Sequence, residues 1–308
     1  LLGDDDGLSP KFFQKIHKII NEHDLPDLVY LNFYQYWHPN VAPWNPQGYV
    51  IDVRHGHFFQ NATEPFYLDS KEIMAGVQAS MSMKINYSFN SQAFMFHRSL
   101  IERATVDGKF YHSPFPDFYI ANIAFLLAKK ILVVPEPLAI SGVSKQSYGF
   151  TLYNELKDAG KKILNNNHDV DEVYQKQLNN LLPGPEFNTD FYVSMIYVKN
   201  NAQKLGFNLS VDLRRYRLVQ IYKVLSDVTS GAVERDFYFK LKAHLTGKEK
   251  VFAKFLSIVM YRPRLLLFFQ NKFNHWFRSG DNTPNTSVLS EKGFASVTAL
   301  YDFLEKKR

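Results

Sequence analysis

Three adjacent carboxylates near the start of the chain are the sharpest chemical feature of this sequence. Asp4, Asp5 and Asp6 stand between two glycines. Neighbouring negative charges repel one another, so the cluster needs solvent or a cation. Carboxylate oxygens suit Mg²⁺ or Mn²⁺, ions that also bind substrate phosphates. The spacing is equally typical of an acidic turn before a helix, whose N-terminal end favours negative charge.

A second candidate for a functional residue is Asp117, which stands just inside the predicted start of a helix. A carboxylate at that position can simply interact with the positive end of the helix dipole. It can also act as a general base, provided that the helix end faces a ligand crevice. Its position in the sequence leaves both interpretations open.

The segments that must position these acids alternate between strands and helices. Aromatic and β-branched residues predict strands at 27–37, 49–53, 89–96, 131–134 and 138–140. Apolar periodicity predicts helices at 11–20, 70–83, 98–103 and 116–130. In the first helix, Ser9 is expected to be the N-cap and Pro10 the first helical residue. This alternation indicates α/β structure in residues 1–150.

The second half of the chain is predicted to be mostly α-helical. Helices are expected at 153–165, 169–182, 187–205, 212–229, 233–245 and 248–260, which suggests two domains, 1–150 and 151–308. The run Arg262-Pro263-Arg264 breaks the apolar stretch 251–269, which therefore favours two helices over one membrane span. Core packing is one interpretation of this basic, amphipathic stretch, and contact with a bilayer surface is the other.

Composition narrows the class of protein. The 308 residues include 36 Lys and Arg, 30 Asp and Glu, and no Cys, which excludes disulfides, thiolate metal sites and a cysteine nucleophile. The net charge of +6 comes from residues 231–308, which hold 14 basic and 7 acidic residues. This basic region is either a solvated surface or an attraction site for membrane headgroups or phosphorylated ligands. Its aromatic pattern does not favour nucleic acid as a partner.

The order of these features resembles a family 2 glycosyltransferase with the GT-A fold. The resemblance rests on the Asp-x-Asp motif at Asp4-Asp5-Asp6, a strand such as 89–94, Asp117 opening a helix, and the late strand 131–138 followed by 142–149. It covers about residues 1–150. It implies a GT-A-like mixed sheet with flanking helices, followed by the helical C-terminal region.

The resemblance also implies site residues. Asp4 would contact the nucleotide sugar, and Asp6 together with Asp4 would bind Mg²⁺ or Mn²⁺ on the diphosphate. Asp5 would shape the turn and touch the donor, while Ser144 and Lys145 would contact the phosphates. Asp117 would take the proton of a hydroxyl acceptor, such as a glycan, in an inverting transfer. The implied location is cytoplasmic, with the inner face of the membrane as a further option.

Two departures from the family pattern support an alternative. The chain lacks the N-terminal nucleotide-binding half that these enzymes begin with, so it is expected to be truncated and inactive alone. A late histidine that often completes the metal site is absent from residues 138–150. A non-catalytic GT-A-like module that binds a glycan or a partner protein is therefore the alternative function.

Weaker candidates each have a structural interpretation beside the functional one. The pair His55 and His57 could bind a metal, but no third ligand is evident. The aromatic set Trp37, His38 and Trp44 could stack on a sugar or pack on the domain. Three arginines could bind phosphate or form ion pairs, namely Arg214, Arg215 and Arg217.

Overall fold

The computed structural model describes residues 2–153, 172–262 and 285–307, apart from 43–44, 55–56, 60–61, 114, 185, 232 and 295. The chain forms one mixed sheet of seven strands. These are β1 (Gly7–Leu8), β2 (Leu28–Trp37), β3 (Tyr49–Arg54), β4 (Phe66–Tyr67), β5 (Phe94–Phe96), β6 (Ile131–Val143) and β7 (Asn285–Ser290). The predicted α/β class with a mixed sheet is confirmed.

The sheet is centred on β2 and β6, which run parallel. The strand order is β1-β6-β2-β3-β7, while β4 pairs with β6 and β5 with β2. All pairings other than β2–β6 are antiparallel. Both central strands are almost wholly buried, since helices cover both faces of the sheet.

Six helices flank the sheet or follow directly from it. They are α1 (Phe12–Glu22), α2 (Ser70–Met81), α3 (Arg98–Ala104), α4 (Pro116–Leu127), α5 (Tyr148–Tyr153) and the last helix, α11 (Val297–Lys307). Side chains alternate along β2, so Val29 and Leu31 pack with α1, whereas Leu28 and Tyr30 join the main core with α2 and α4. Both faces of β2 are apolar because each of them packs against helices.

The region from 172 to 260 is helical, as the sequence predicts. It contains α6 (Glu172–Gln177), α7 (Glu186–Lys204), α8 (Leu213–Ser230), α9 (Arg235–Ala243) and α10 (Gly247–Met260). Helix α7 contributes to the main core and contacts α4, while α8, α9 and α10 enclose a second core. The predicted helix 153–165 lies almost entirely outside the described residues. The domain boundary near residue 150 stays a prediction.

Three local predictions differ from the structure. Helix α1 starts at Phe12 with Lys11 as N-cap, and the Ser9 hydroxyl is buried without a hydrogen bond among the described residues. The segment 89–96 is strand only from Phe94, because a 3₁₀ turn occupies Ser91–Ala93. Strand β6 continues through Pro135 and Pro137, since an irregularity in its register with β2 absorbs them.

The chain returns to the sheet near its end. Strand β7 pairs with β3, and α11 packs on the sheet through Leu300 and Leu304. Neither element was predicted from the sequence. Within the described residues, every helix is too short or too polar to cross a bilayer.

Candidate functional site

The acidic loop, which consists of Asp4, Asp5 and Asp6 before β1, is hydrogen-bonded to the end of β6. One Asp6 oxygen accepts a hydrogen bond from the Gly142 N–H at 3.0 Å, and the other accepts from the Gly3 N–H at 2.6 Å. Asp5 accepts from the Ser144 N–H at 2.9 Å. Backbone amides therefore offset part of the repulsion between these carboxylates.

Gly142 permits this close approach. A Cβ at that position would lie 1.9 Å from the backbone oxygen of Asp5. Real Cβ atoms essentially never show contacts below 3.0 Å. The loop can therefore bind the strand end only if residue 142 has no side chain.

Asp117 and the acidic loop line the same cavity of about 430 Å³. It lies in the first turn of α4, after Pro116 at the start of the helix. Asp5 and Asp6 line the same cavity. The fold thus brings together the two acidic features that the sequence analysis singled out.

A 3₁₀ turn connects these acids, and the sequence analysis missed it. The Ser91 side chain hydrogen-bonds to Asp117. The adjacent Gln92 amide donates to Asp6 at 2.5 Å. The polar triplet 90–92, which interrupts an apolar run, is the signal that could have identified this turn.

Burial raises the pKa of Asp117 from 3.8 to about 6. The hydrogen bond from Ser91 opposes this rise, and the negative charge of Asp6 adds to it. Asp117 is therefore ionised at neutral pH and becomes protonated just below it. A carboxylate with a pKa near the working pH is suited to take up a proton.

A second cavity of about 620 Å³ lies on the other side of the loop. Asp4, Ser144 and Lys145 line it, and Asp5 and Asp6 line both cavities. The structure thus places the residues predicted to contact phosphate beside the acidic loop. The exposed Lys145 brings positive charge to this cavity.

The second cavity is also lined by His38, which the sequence suggested for stacking on a sugar or for packing on the domain. Its ring lies 4.4 Å from that of Tyr36, and its Nε2 is buried without a hydrogen bond among the described residues. Burial lowers the pKa of His38, and the negative charge of Asp5 opposes this. Burial therefore favours the neutral form of His38 in the cavity that Asp4 also lines.

Part of the wall of the first cavity is aromatic. Phe115, Phe118, Tyr148 and Phe187 line it. Asp190 of α7 also lines it and accepts a hydrogen bond from the Tyr148 hydroxyl at 3.2 Å. The helical region thus supplies part of the site, which sequence spacing could not show.

The carboxylates fit a divalent cation, although not equally. Asp6 already accepts three hydrogen bonds, whereas Asp5 accepts one and Asp4 is exposed. No group of three or more potential metal-binding side chains occurs in the part of the chain that the structure describes. Mg²⁺ commonly takes one or two carboxylates and completes its shell with phosphates and water. The oxygens with most free capacity for such an ion belong to Asp4 and Asp5.

Of the weaker candidates from the sequence, Trp37 and Arg217 have structural roles. Trp37 is buried and stacks on Tyr49 at 4.4 Å, so it belongs to the core. Arg217 forms a two-pronged ion pair with Glu249 at 2.7 and 2.9 Å, which lowers the pKa of Glu249 to about 2. Trp44 and His55 lie outside the described residues, as does the side chain of His57.

No family profile and no curated protein sequence matches this chain.

Proposed function

We propose that this protein is a metal-dependent glycosyltransferase that moves a sugar from a nucleotide-sugar donor to a hydroxyl acceptor. The observation that carries the proposal is the shared cavity of Asp117 and the acidic loop. These groups are distant in sequence, and one can accept a proton while the other can hold a cation. The two cavities on either side of the loop provide separate spaces for acceptor and donor phosphates.

The proposed reaction is a single displacement. The acceptor hydroxyl attacks the anomeric carbon, a new C–O bond forms, and the bond to the diphosphate oxygen breaks. Asp117 takes the hydroxyl proton during this step. The bond that breaks lies opposite the attacking oxygen, so the anomeric configuration inverts. The presence of Asp117 and the acidic loop in one cavity supports this arrangement.

The remaining residues have supporting roles in this proposal. A cation bound by Asp4 and Asp5 would offset the charge that builds on the leaving diphosphate. Lys145 and the backbone near Ser144 would contact the phosphates. The aromatic wall with Asp190 suits an acceptor that has both apolar and hydroxyl-bearing faces, such as a sugar. We also infer a cytoplasmic location, which cell fractionation would test.

Donor binding provides the primary test. Uridine and guanosine diphosphate would be titrated calorimetrically into the protein encoded by the complete gene, with and without Mn²⁺. We expect binding that requires Mn²⁺ and that weakens at least about tenfold in Asp5→Asn. An asparagine oxygen can still accept from the Ser144 N–H, so this variant removes charge while keeping the loop. Asp236→Asn, an exposed acid on α9, is the matched control.

The alternative function is a non-catalytic module that binds a glycan. The specific observation in its favour is that Asp6 already accepts three hydrogen bonds, which leaves its oxygens little capacity for a metal ion. Absence of diphosphate binding under every condition, together with binding of a glycan, would favour this alternative. Binding that is independent of both Mn²⁺ and Asp5 would contradict the proposed donor site.

Ser91 is expected to lower the pKa of Asp117, the proposed proton acceptor. Ser91→Ala removes a hydrogen bond that holds the pKa of Asp117 down, so this pKa should rise above about 6. The acidic limb of the kcat/KM profile should then move to higher pH, with little change in rate on the plateau. Ser230→Ala, an exposed serine at the end of α8, is the control. An unshifted limb would show that Asp117 is not the group that titrates.

A further inference from the structure

The outer face of α10 carries a stripe of exposed apolar side chains. Val251, Phe255, Ile258 and Tyr261 are 70, 46, 50 and 55% exposed. They are four of the twelve large apolar side chains found exposed among the described residues. Their spacing of three or four residues places them along one side of the helix. The opposite side packs into the second core through Leu256 and Met260.

The exposed charged side chains of α10 and the adjacent Arg262 have one sign. Lys248, Lys250 and Lys254 are exposed on α10, and Arg262 follows the helix. The single acid of the helix, Glu249, is turned away into its ion pair with Arg217, where both side chains are only 13% exposed. The exposed surface of α10 therefore combines apolar and positively charged groups without a negative one.

The helix is already formed and anchored. Thr246 and Glu249 make a capping box at its start. The buried face fixes the direction in which the stripe points. Binding through this surface would therefore not need to order a disordered segment, which lowers its entropic cost.

We propose that the outer face of α10 docks this protein on an anionic lipid surface. The apolar stripe enters the boundary between headgroups and acyl chains, and the flanking lysines contact lipid phosphates and carboxylates. Charge complementarity selects this partner. A second copy using the same face would bring positive charges together. A nucleic-acid backbone would bind the lysines but would leave the aliphatic side chains in water.

Vesicle sedimentation tests the proposal. The protein encoded by the complete gene is mixed with vesicles of phosphatidylcholine alone or with added phosphatidylserine. We expect binding only to the anionic vesicles, weakening as salt is raised. The triple variant Lys248→Gln, Lys250→Gln, Lys254→Gln should bind about a hundredfold more weakly, since each lysine contributes roughly a fivefold factor. The double variant Phe255→Ser, Ile258→Ser should also lose most binding.

Phe13→Ser is the matched control, because Phe13 is 73% exposed on α1 and also lies near lysines. It should bind vesicles as the unmodified protein does. Circular dichroism would verify the fold of each variant, and Phe255→Trp with brominated lipids gives a second readout through quenching. Equal binding to neutral vesicles would overturn the proposal. The proposal would also be overturned if the protein bound an oligonucleotide but no vesicles, and if the double variant bound that oligonucleotide as well as the unmodified protein does. Dimerisation that the double variant abolishes, without any binding to vesicles, would overturn it too.

Discussion

Asp117→Asn is expected to lower the rate of sugar transfer by about 10²- to 10⁴-fold, the usual contribution of a positioned general base. Asparagine has nearly the same shape and can still accept the hydrogen bond from Ser91, but it cannot take up the acceptor proton. Diphosphate binding should remain, because the proposed phosphate contacts Ser144 and Lys145 line the second cavity, whereas Asp117 lines the first. The measurement is transfer from a nucleotide sugar beside calorimetric titration of the diphosphate.

The pH dependence of transfer should report the same group. In the unmodified protein, kcat/KM should fall as pH decreases through about 6, where Asp117 becomes protonated. A bound cation would lower the pKa of Asp117, so the limb is expected at or below that value. Asp117→Asn should have a residual rate without this limb. A variant that keeps both the full rate and the acidic limb would refute the role of Asp117.

Stability should change in the opposite direction to activity. The folded-state pKa of Asp117 lies above the ordinary value of 3.8, so folding favours its protonated form. The resulting penalty is absent below about pH 4 and complete above about pH 6. Asp117→Asn should therefore raise the free energy of unfolding by about 1–3 kcal/mol at pH 8. Denaturant unfolding at pH 4 and pH 8 would check this difference.

Gly142→Ala should abolish the site through the backbone. The added Cβ would lie 1.9 Å from the Asp5 carbonyl oxygen, whereas ordinary contact is roughly 3.5 Å. The acidic loop must move by more than about 1 Å, which should break its bonds to Gly142 and Ser144. A displacement of this size can cost about 10²-fold in rate. We expect loss of Mn²⁺-dependent diphosphate binding together with at least that loss of transfer.

Gly247→Ala provides the control for this experiment. Gly247 opens α10, and a Cβ there meets nothing within 4 Å. The control should keep both binding and transfer, and its stability should stay within about 1 kcal/mol. Normal Mn²⁺-dependent binding in Gly142→Ala would show that the contact between loop and strand does not hold the donor site. A melting curve for each variant would separate loss of the loop from loss of the fold.

Local sequence patterns were sufficient for most secondary structure. Five predicted elements agree with the structure to within two residues at each end. They are the strand 27–37 (β2) and the helices 187–205 (α7), 212–229 (α8), 233–245 (α9) and 248–260 (α10). Apolar periodicity succeeds there because burying one face is a local property of a helix or strand. It failed at 91–93, where the polar side chains are turned toward the two acids.

The sequence by itself determined the fold class and nominated Asp4, Asp5, Asp6 and Asp117 by residue type and position. Only the tertiary structure decided which of these carboxylates share a cavity and which oxygens are already engaged. It also supplied the partners that sequence spacing could not identify, namely Ser91, Gln92, His38, Tyr148 and Asp190. The physical reason is that periodicity reports which face of an element is buried. Contacts between elements far apart in the chain depend on how those faces pack together.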